Sequence, residues 1–174
     1  MQTSWRPGCP VPLSALRLVR VTHWGFDTQL RQGELVVHAD QAAAVVSAFK
    51  SLFDARFPIE QVRLIDDFDG DDDRSMAANN SSAFNCRRAT GSDRWSEHAY
   101  GRAVDINPVQ NPFVTRSGAV MPPAGAAHTK RDSATPGLIR ANSRAVAAFA
   151  AIGWRWGGAW SSSRDYQHFS ASGR

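Results

Sequence analysis

Two histidines and two aspartates stand in two short stretches of this chain. His98 and Asp105 lie in Ser96-Glu97-His98-Ala99-Tyr100-Gly101-Arg102-Ala103-Val104-Asp105, and Asp165 and His168 lie in Asp165-Tyr166-Gln167-His168. A hydrolytic zinc centre takes three protein ligands from His, Asp, Glu and Cys and leaves a further position for water. If His98 ends one strand, Gly101 allows the turn and Asp105 lies on the next strand, their side chains converge, and His168 on a closing hairpin completes the set. Asp165 would then face the open side of the metal without ligating it. A carboxylate placed there takes a proton from the attacking water and delivers it to the departing amine.

Other residues of the right chemical type read differently. His23, His38 and His128 stand alone and read as structural. The helical HExxH zinc motif is not completed, because Arg102 stands where its second histidine is needed. The run from Asp66 to Asp73 fails as a calcium loop, since Asp72 occupies the place of the turn glycine and no glutamate closes it. It reads as a solvated acidic loop that could border the site. Trp154, Trp156 and Trp160 read first as packing residues, one of which could line a groove. Cys9 and Cys86 are the only internal thiol pair; a disulfide and two buried free thiols both fit the spacing.

The pattern SxHxxGxAxD followed by DxxH resembles the zinc D,D-carboxypeptidase family. That family also contains D-Ala-D-Ala dipeptidases and phage L-alanyl-D-glutamate endopeptidases, and its wider fold group takes in lysostaphin-type enzymes and the Hedgehog signalling domain. The resemblance runs from about Phe84 to Ile106 and from Gly153 to Phe169. It implies zinc held by His98, Asp105 and His168, with Asp165 as general base. The stretch Ser82-Ala83-Phe84-Asn85-Cys86-Arg87 resembles the family's strand ending in arginine, which implies that Arg87 lies beside the substrate, with Arg88 in reserve. A guanidinium suits the task because its fork grips a carboxylate or polarises a carbonyl oxygen at two points. Ser96 and Trp160 complete the expected substrate contacts.

Within the family, DxxHF preceded by GWxWGG is similar to the L-alanyl-D-glutamate branch, whereas the carboxypeptidase branches tend to carry ExxWH. Ala159 departs from the GGDW common in that branch. The implied activity is hydrolysis of a peptide bond in peptidoglycan stem peptides, of the L-alanyl-D-glutamate endopeptidase or D,D-carboxypeptidase type, in an extracytoplasmic, endolysin-like setting. The rival expectation is an inactive zinc-fold module that binds cell wall. Retention of Asp165 argues against it, since a structural site has no use for a carboxylate at an open coordination position.

The elements that must position these residues are those of a small α+β domain, with a central antiparallel sheet carrying the zinc site and helices flanking it. The whole chain, 1–174, reads as one domain, with 1–20 an irregular leading segment and 107–137 an irregular excursion rich in Pro, Gly, Ser and Thr. Glu34 to His38 reads as a strand. Asp40 is a candidate cap for a helix carrying Val45, Val46, Phe49, Leu52 and Phe53 at helical spacing, which ends near Pro58. Val62 to Ile65, Ala83 to Arg87 and Ala103 to Ile106 read as short strands, and 66–82 as a long loop. Ser143 caps a second helix that Gly153 ends, and Trp154 to Phe169 reads as a closing hairpin.

The net charge of +4 comes almost wholly from arginine, Lys50 and Lys130 being the only lysines. The arginines are scattered rather than bunched, so nucleic acid is not an expected partner, and an anionic envelope polymer suits the charge equally well. No apolar run approaches the ~18 residues needed to span a bilayer. No signal peptide is visible, and a monomer is the expectation.

Overall fold

The computed structural model describes residues 1, 3–131 and 134–174. Strands β1 (Leu16–Trp24) and β2 (Leu30–His38) form an antiparallel hairpin in register from Leu16 opposite His38 to Trp24 opposite Leu30. Val19 and Val21 from β1 and Leu35 and Val37 from β2 point into the core. Helix α1 (Ala42–Asp54) packs on this face through Val45, Ala48, Phe49 and Leu52, the i, i+3, i+4, i+7 stripe of an amphipathic helix. Val46 falls outside the stripe and is exposed. The cap also differs from expectation: His38 caps a 3-10 turn over Ala39–Gln41 that feeds into α1.

Downstream come β3 (Gln61–Val62), α2 (Asp72–Ala77), β4 (Asn80–Ser81), β5 (Ala103–Asp105), β6 (Phe113–Val114), β7 (Val120–Met121), α3 (Arg144–Ala150), β8 (Arg155–Trp156), β9 (Arg164–Asp165) and β10 (His168–Ser170). In place of one central sheet, the described residues form four small ones: β1-β2, parallel β3-β4, β5-β10-β8 and β7-β6-β9. Two-residue strands dominate because the chain turns too often for longer ladders. The expected loop 66–82 contains α2, whose first turn is capped by the Asp71 side chain accepting from the Arg74 N–H. Leu16 to Arg20 belong to β1 rather than to the irregular leading segment. The 107–137 stretch holds the β6-β7 hairpin.

Ala83 to Arg87 is not a strand. Its backbone groups go to several partners, Phe84 N–H to the Val36 carbonyl and Cys86 N–H to the Ser4 carbonyl among them. The Cys9–Cys86 disulfide is formed, with Cα atoms 5.8 Å apart. It excludes both free thiols and a cysteine metal site.

Helix α3 carries Phe149, fully buried between Phe49 on α1 and Phe169 on β10. Ser143 caps it as expected, accepting from the Val146 N–H. Phe169 stacks on Phe149 with ring centroids 4.2 Å apart. Because side chains alternate across a strand, anchoring Phe169 in the core sends its neighbour His168 to the opposite face. The site is built on that face.

Candidate metal centre and cleft

The sheet register explains why two of the expected ligands meet. His168 on β10 is the cross-strand partner of Asp105 on β5, so both side chains leave the same face at adjacent positions. His168 Nδ1 lies 3.0 Å from Asp105 Oδ1. His98 arrives by another route than the expected strand end, on a 3-10 turn over Glu97–Tyr100. Ser96 starts this turn, its hydroxyl accepting from the His98 N–H. Gly101 ends it at φ +67, packed so closely on the β2 backbone that a Cβ would stand 2.5 Å from the His38 nitrogen. Only glycine meets both demands. The turn aims His98 Nε2 at Asp105 Oδ2, 3.0 Å away, and places it 3.2 Å from His168 Nδ1.

His98, Asp105 and His168 thus present three ligand atoms within 4.8 Å of one another, all on buried residues. Their outer hydrogen bonds suit a cation. His98 Nδ1 lies 2.5 Å from the Ala83 carbonyl and His168 Nε2 lies 2.8 Å from the Arg174 carbonyl. A carbonyl only accepts, so each outer nitrogen carries the proton and each inner nitrogen of a neutral ring turns a lone pair inward. Two lone pairs and a carboxylate facing one another require a positive charge between them. Burial disfavours charge on His168, yet its hydrogen bond to Asp105 and the Asp105 charge outweigh this and push its pKa up to about 9. Burial likewise opposes ionisation of Asp105, but the two imidazoles hold its carboxyl far below the usual range. The donor set fits a divalent metal ion.

Asp165 lies on β9, which pairs with β6 through Phe113 opposite Asp165. The excursion therefore supplies β6, the strand against which the one carrying this carboxylate is paired. Gly157 lies behind it, where a Cβ would come within 2.8 Å of the Asp165 carbonyl oxygen, so the GWxWGG segment needs glycine at this point. Asp165 Oδ1 is buried and has no hydrogen-bond partner among the described residues. Burial chiefly, then the like charge of Asp105 against the opposing pull of His168, raises the Asp165 carboxyl to about 7. A carboxylate of that basicity is suited to proton transfer near neutral pH.

An open cleft of about 1150 Å³ is lined at its base by His98, Asp105, Asp165 and His168, with Arg87, Arg88, Ser96 and Trp160 also on its walls. Arg87 is ion-paired with Asp72 at 2.8 Å. Arg88 lies over the Trp95 ring at 3.8 Å and donates to the Asp93 carbonyl, so it is committed to the loop around it. Ser96 has its hydroxyl engaged in capping. Trp160 donates its indole N–H to the Gly173 carbonyl and sets its ring 5.6 Å from that of His168. Asp72 is hidden in the sequence because its place in an acidic run signals solvation, and the two backbone carbonyls carry no sequence signal at all.

A cleft holding three convergent ligand atoms beside a basic carboxylate has the make-up expected of a metal-dependent hydrolase. Residues 90–171 match a family model described as D-alanyl-D-alanine carboxypeptidase, so this stretch of the chain is similar to a family of peptidases. The match takes in His98, Asp105, Asp165 and His168 and begins after Arg87. No curated protein and no solved structure matches the chain.

Proposed function

We propose that the protein is a zinc-dependent peptidase that hydrolyses the L-alanyl-D-glutamate bond of peptidoglycan stem peptides. His98, Asp105 and His168 hold the ion, Asp165 is the general base and Arg87 binds the substrate carbonyl. The observation that carries this reading is the convergence of the three ligand atoms beside a carboxyl raised to about 7. Zinc, when bound, supplies Lewis acidity toward the carbonyl and acidifies a water molecule. The chain's own residues supply the rest. Asp165 accepts the proton of the attacking water on its carboxylate and passes it to the nitrogen of the leaving amine, so that the C–N bond breaks without expelling an amide anion. Arg87 keeps donor capacity for a substrate oxygen, because Nη1 and Nη2 each carry a second N–H beyond those turned to the Arg88 carbonyl and to Asp72.

The Asp-Tyr-Gln-His-Phe ending supports the endopeptidase reading, and the matched family's description supports cleavage of a terminal D-Ala-D-Ala link. Mass spectrometry of stem peptides digested by the zinc-loaded protein separates them. Release of a fragment beginning with D-glutamate supports the first, release of free D-alanine supports the second, and intact peptides refute both. The Cys9–Cys86 disulfide supports an extracytoplasmic setting, since such bonds persist in oxidising compartments. Among the described residues no helix is long and apolar enough to cross a membrane.

A further inference from the structure

The acidic run contributes one residue to the cleft. Asp71 caps α2 and so fixes Asp72 in its first turn. The Asp72 carboxylate reaches two residues of the neighbouring extended segment, Oδ2 to Arg87 Nη2 at 2.8 Å and Oδ1 to Asn85 Nδ2 at 3.5 Å. Asn85 and Arg87 leave one side of that segment, and Cys86 between them is tied down on the other by its disulfide and by its N–H bond to the Ser4 carbonyl. The pair is only about a quarter exposed, 26% for Arg87 and 22% for Asp72, so water screens it less than a surface pair. The far end of α2 meets the signature as well, Met76 Sδ accepting from the Gln167 amide between Asp165 and His168.

We infer that Asp72 is a positioning residue: it holds the Arg87 guanidinium away from Asp165, leaving the guanidinium aimed at substrate and the base free. This rests on the assignment of Arg87 and Asp165 given above. Arg87 and Asp165 line the same cleft, the Arg87 charge already acts on the Asp165 carboxyl, and a guanidinium without an anion of its own is drawn to a carboxylate within its reach. An Arg87–Asp165 ion pair would remove the proton acceptor and the carbonyl donor together. With Asp72 present, Nη2 is turned to its carboxylate, Nη1 rests on the Arg88 carbonyl at 3.3 Å, and each keeps a second N–H for a substrate oxygen.

The test uses the zinc-loaded full chain and a stem-peptide substrate, with Asp72→Asn, Asp72→Glu, Arg87→Ala and the Asp72→Asn/Arg87→Ala double variant. The isosteric Asp72→Asn should lower kcat about tenfold, a typical coupling for contacting charged groups, with KM changed by less than about twofold. Asp72→Glu should restore most of the loss, and Asp72→Asn should have no further effect once Arg87 is alanine. Wild-type kcat in Asp72→Asn, or the same loss in both backgrounds, would overturn the assignment. A readout independent of turnover is the Arg87 Nε–H resonance, assigned by its loss in Arg87→Ala. It should show an ordered side chain in the wild type and a mobile or relocated one in Asp72→Asn. If the wild type leaves stem peptides intact, the peptidase reading fails, and this resonance alone decides the positioning role; an unchanged signal in Asp72→Asn refutes it.

Discussion

Replacing Asp165 by asparagine should make the metal-free protein more stable while disabling it. The Asp165 carboxyl is raised from 3.8 to about 7, with burial the leading cause. Between these values the folded chain keeps a proton that the unfolded chain has released, so this group's contribution to stability falls as pH climbs through the window. At about 1.4 kcal/mol per tenfold change in proton affinity, the ionised carboxylate costs the native state at most about 4 kcal/mol at pH 8, and less than about 1 kcal/mol at pH 4. Asparagine keeps the shape and removes the titration. Urea unfolding of the chelated wild type and Asp165→Asn should therefore show a gap that is small at pH 4 and widens in the variant's favour at pH 8. Turnover of stem peptide by the zinc-loaded variant should fall about 10²–10⁴-fold, the usual contribution of general acid–base catalysis, with the metal retained. The wild-type kcat/KM should decline toward acid pH as Asp165 takes up its proton, at a lower pH than in the metal-free protein because the bound cation favours the carboxylate. A variant that is less stable at pH 8, or equally stabilised at both pH values, would refute the account of the buried carboxylate. One that keeps wild-type turnover would remove Asp165 from the chemistry.

Chelation should abolish hydrolysis and added zinc should restore it. Asp105→Ala should weaken zinc binding by more than the ~10–100-fold typical of an outer-shell change, as read by competition with a chromophoric chelator. Phe149→Ala removes the ring stacked on Phe169 and should cost about 3–5 kcal/mol in urea unfolding. It should also weaken metal binding, because Phe169 anchors the strand that carries His168. Reducing the Cys9–Cys86 bond, which spans 77 residues, should lower stability by about 4 kcal/mol on the chain-entropy scale, seen as a lower melting temperature in dithiothreitol. An unchanged melting temperature would show that the segment carrying Arg87 is held by its hydrogen bonds alone.

What the sequence reveals of this protein follows from how each feature is encoded. The meeting of His98, Asp105 and His168 is legible because ligand chemistry restricts the residue types and Gly101 marks the one tight turn between the first two. Helices α1 and α3 are legible because each buries an apolar stripe, over more than three turns in the first and about two in the second. The strands β6, β7 and β9 are two residues long, and a period of two cannot be recognised in two residues. Yet β6 and β9 are the strands that mount Asp165. Strand β1 is hidden for a related reason, since its burial begins Leu16 in, Arg17 and Leu18 out, Val19 in, and alternates only from there. The acidic run conceals α2 because its composition describes the solvated face, while the consequential residue, Asp72, is defined by a partner fifteen positions away.

Residues that touch substrate or metal are constrained by chemistry and so announce themselves by type. Residues that aim them are constrained only by where the chain has already gone. An aspartate that orients Arg87 therefore looks the same in sequence as one that merely solvates a loop, and the distance of 2.8 Å between two charged groups is what separates them. The most informative substitutions therefore fall at the aiming residues, Asp72 and Phe149, because a loss of function there tests the fold's hold on the site rather than the chemistry of the site itself.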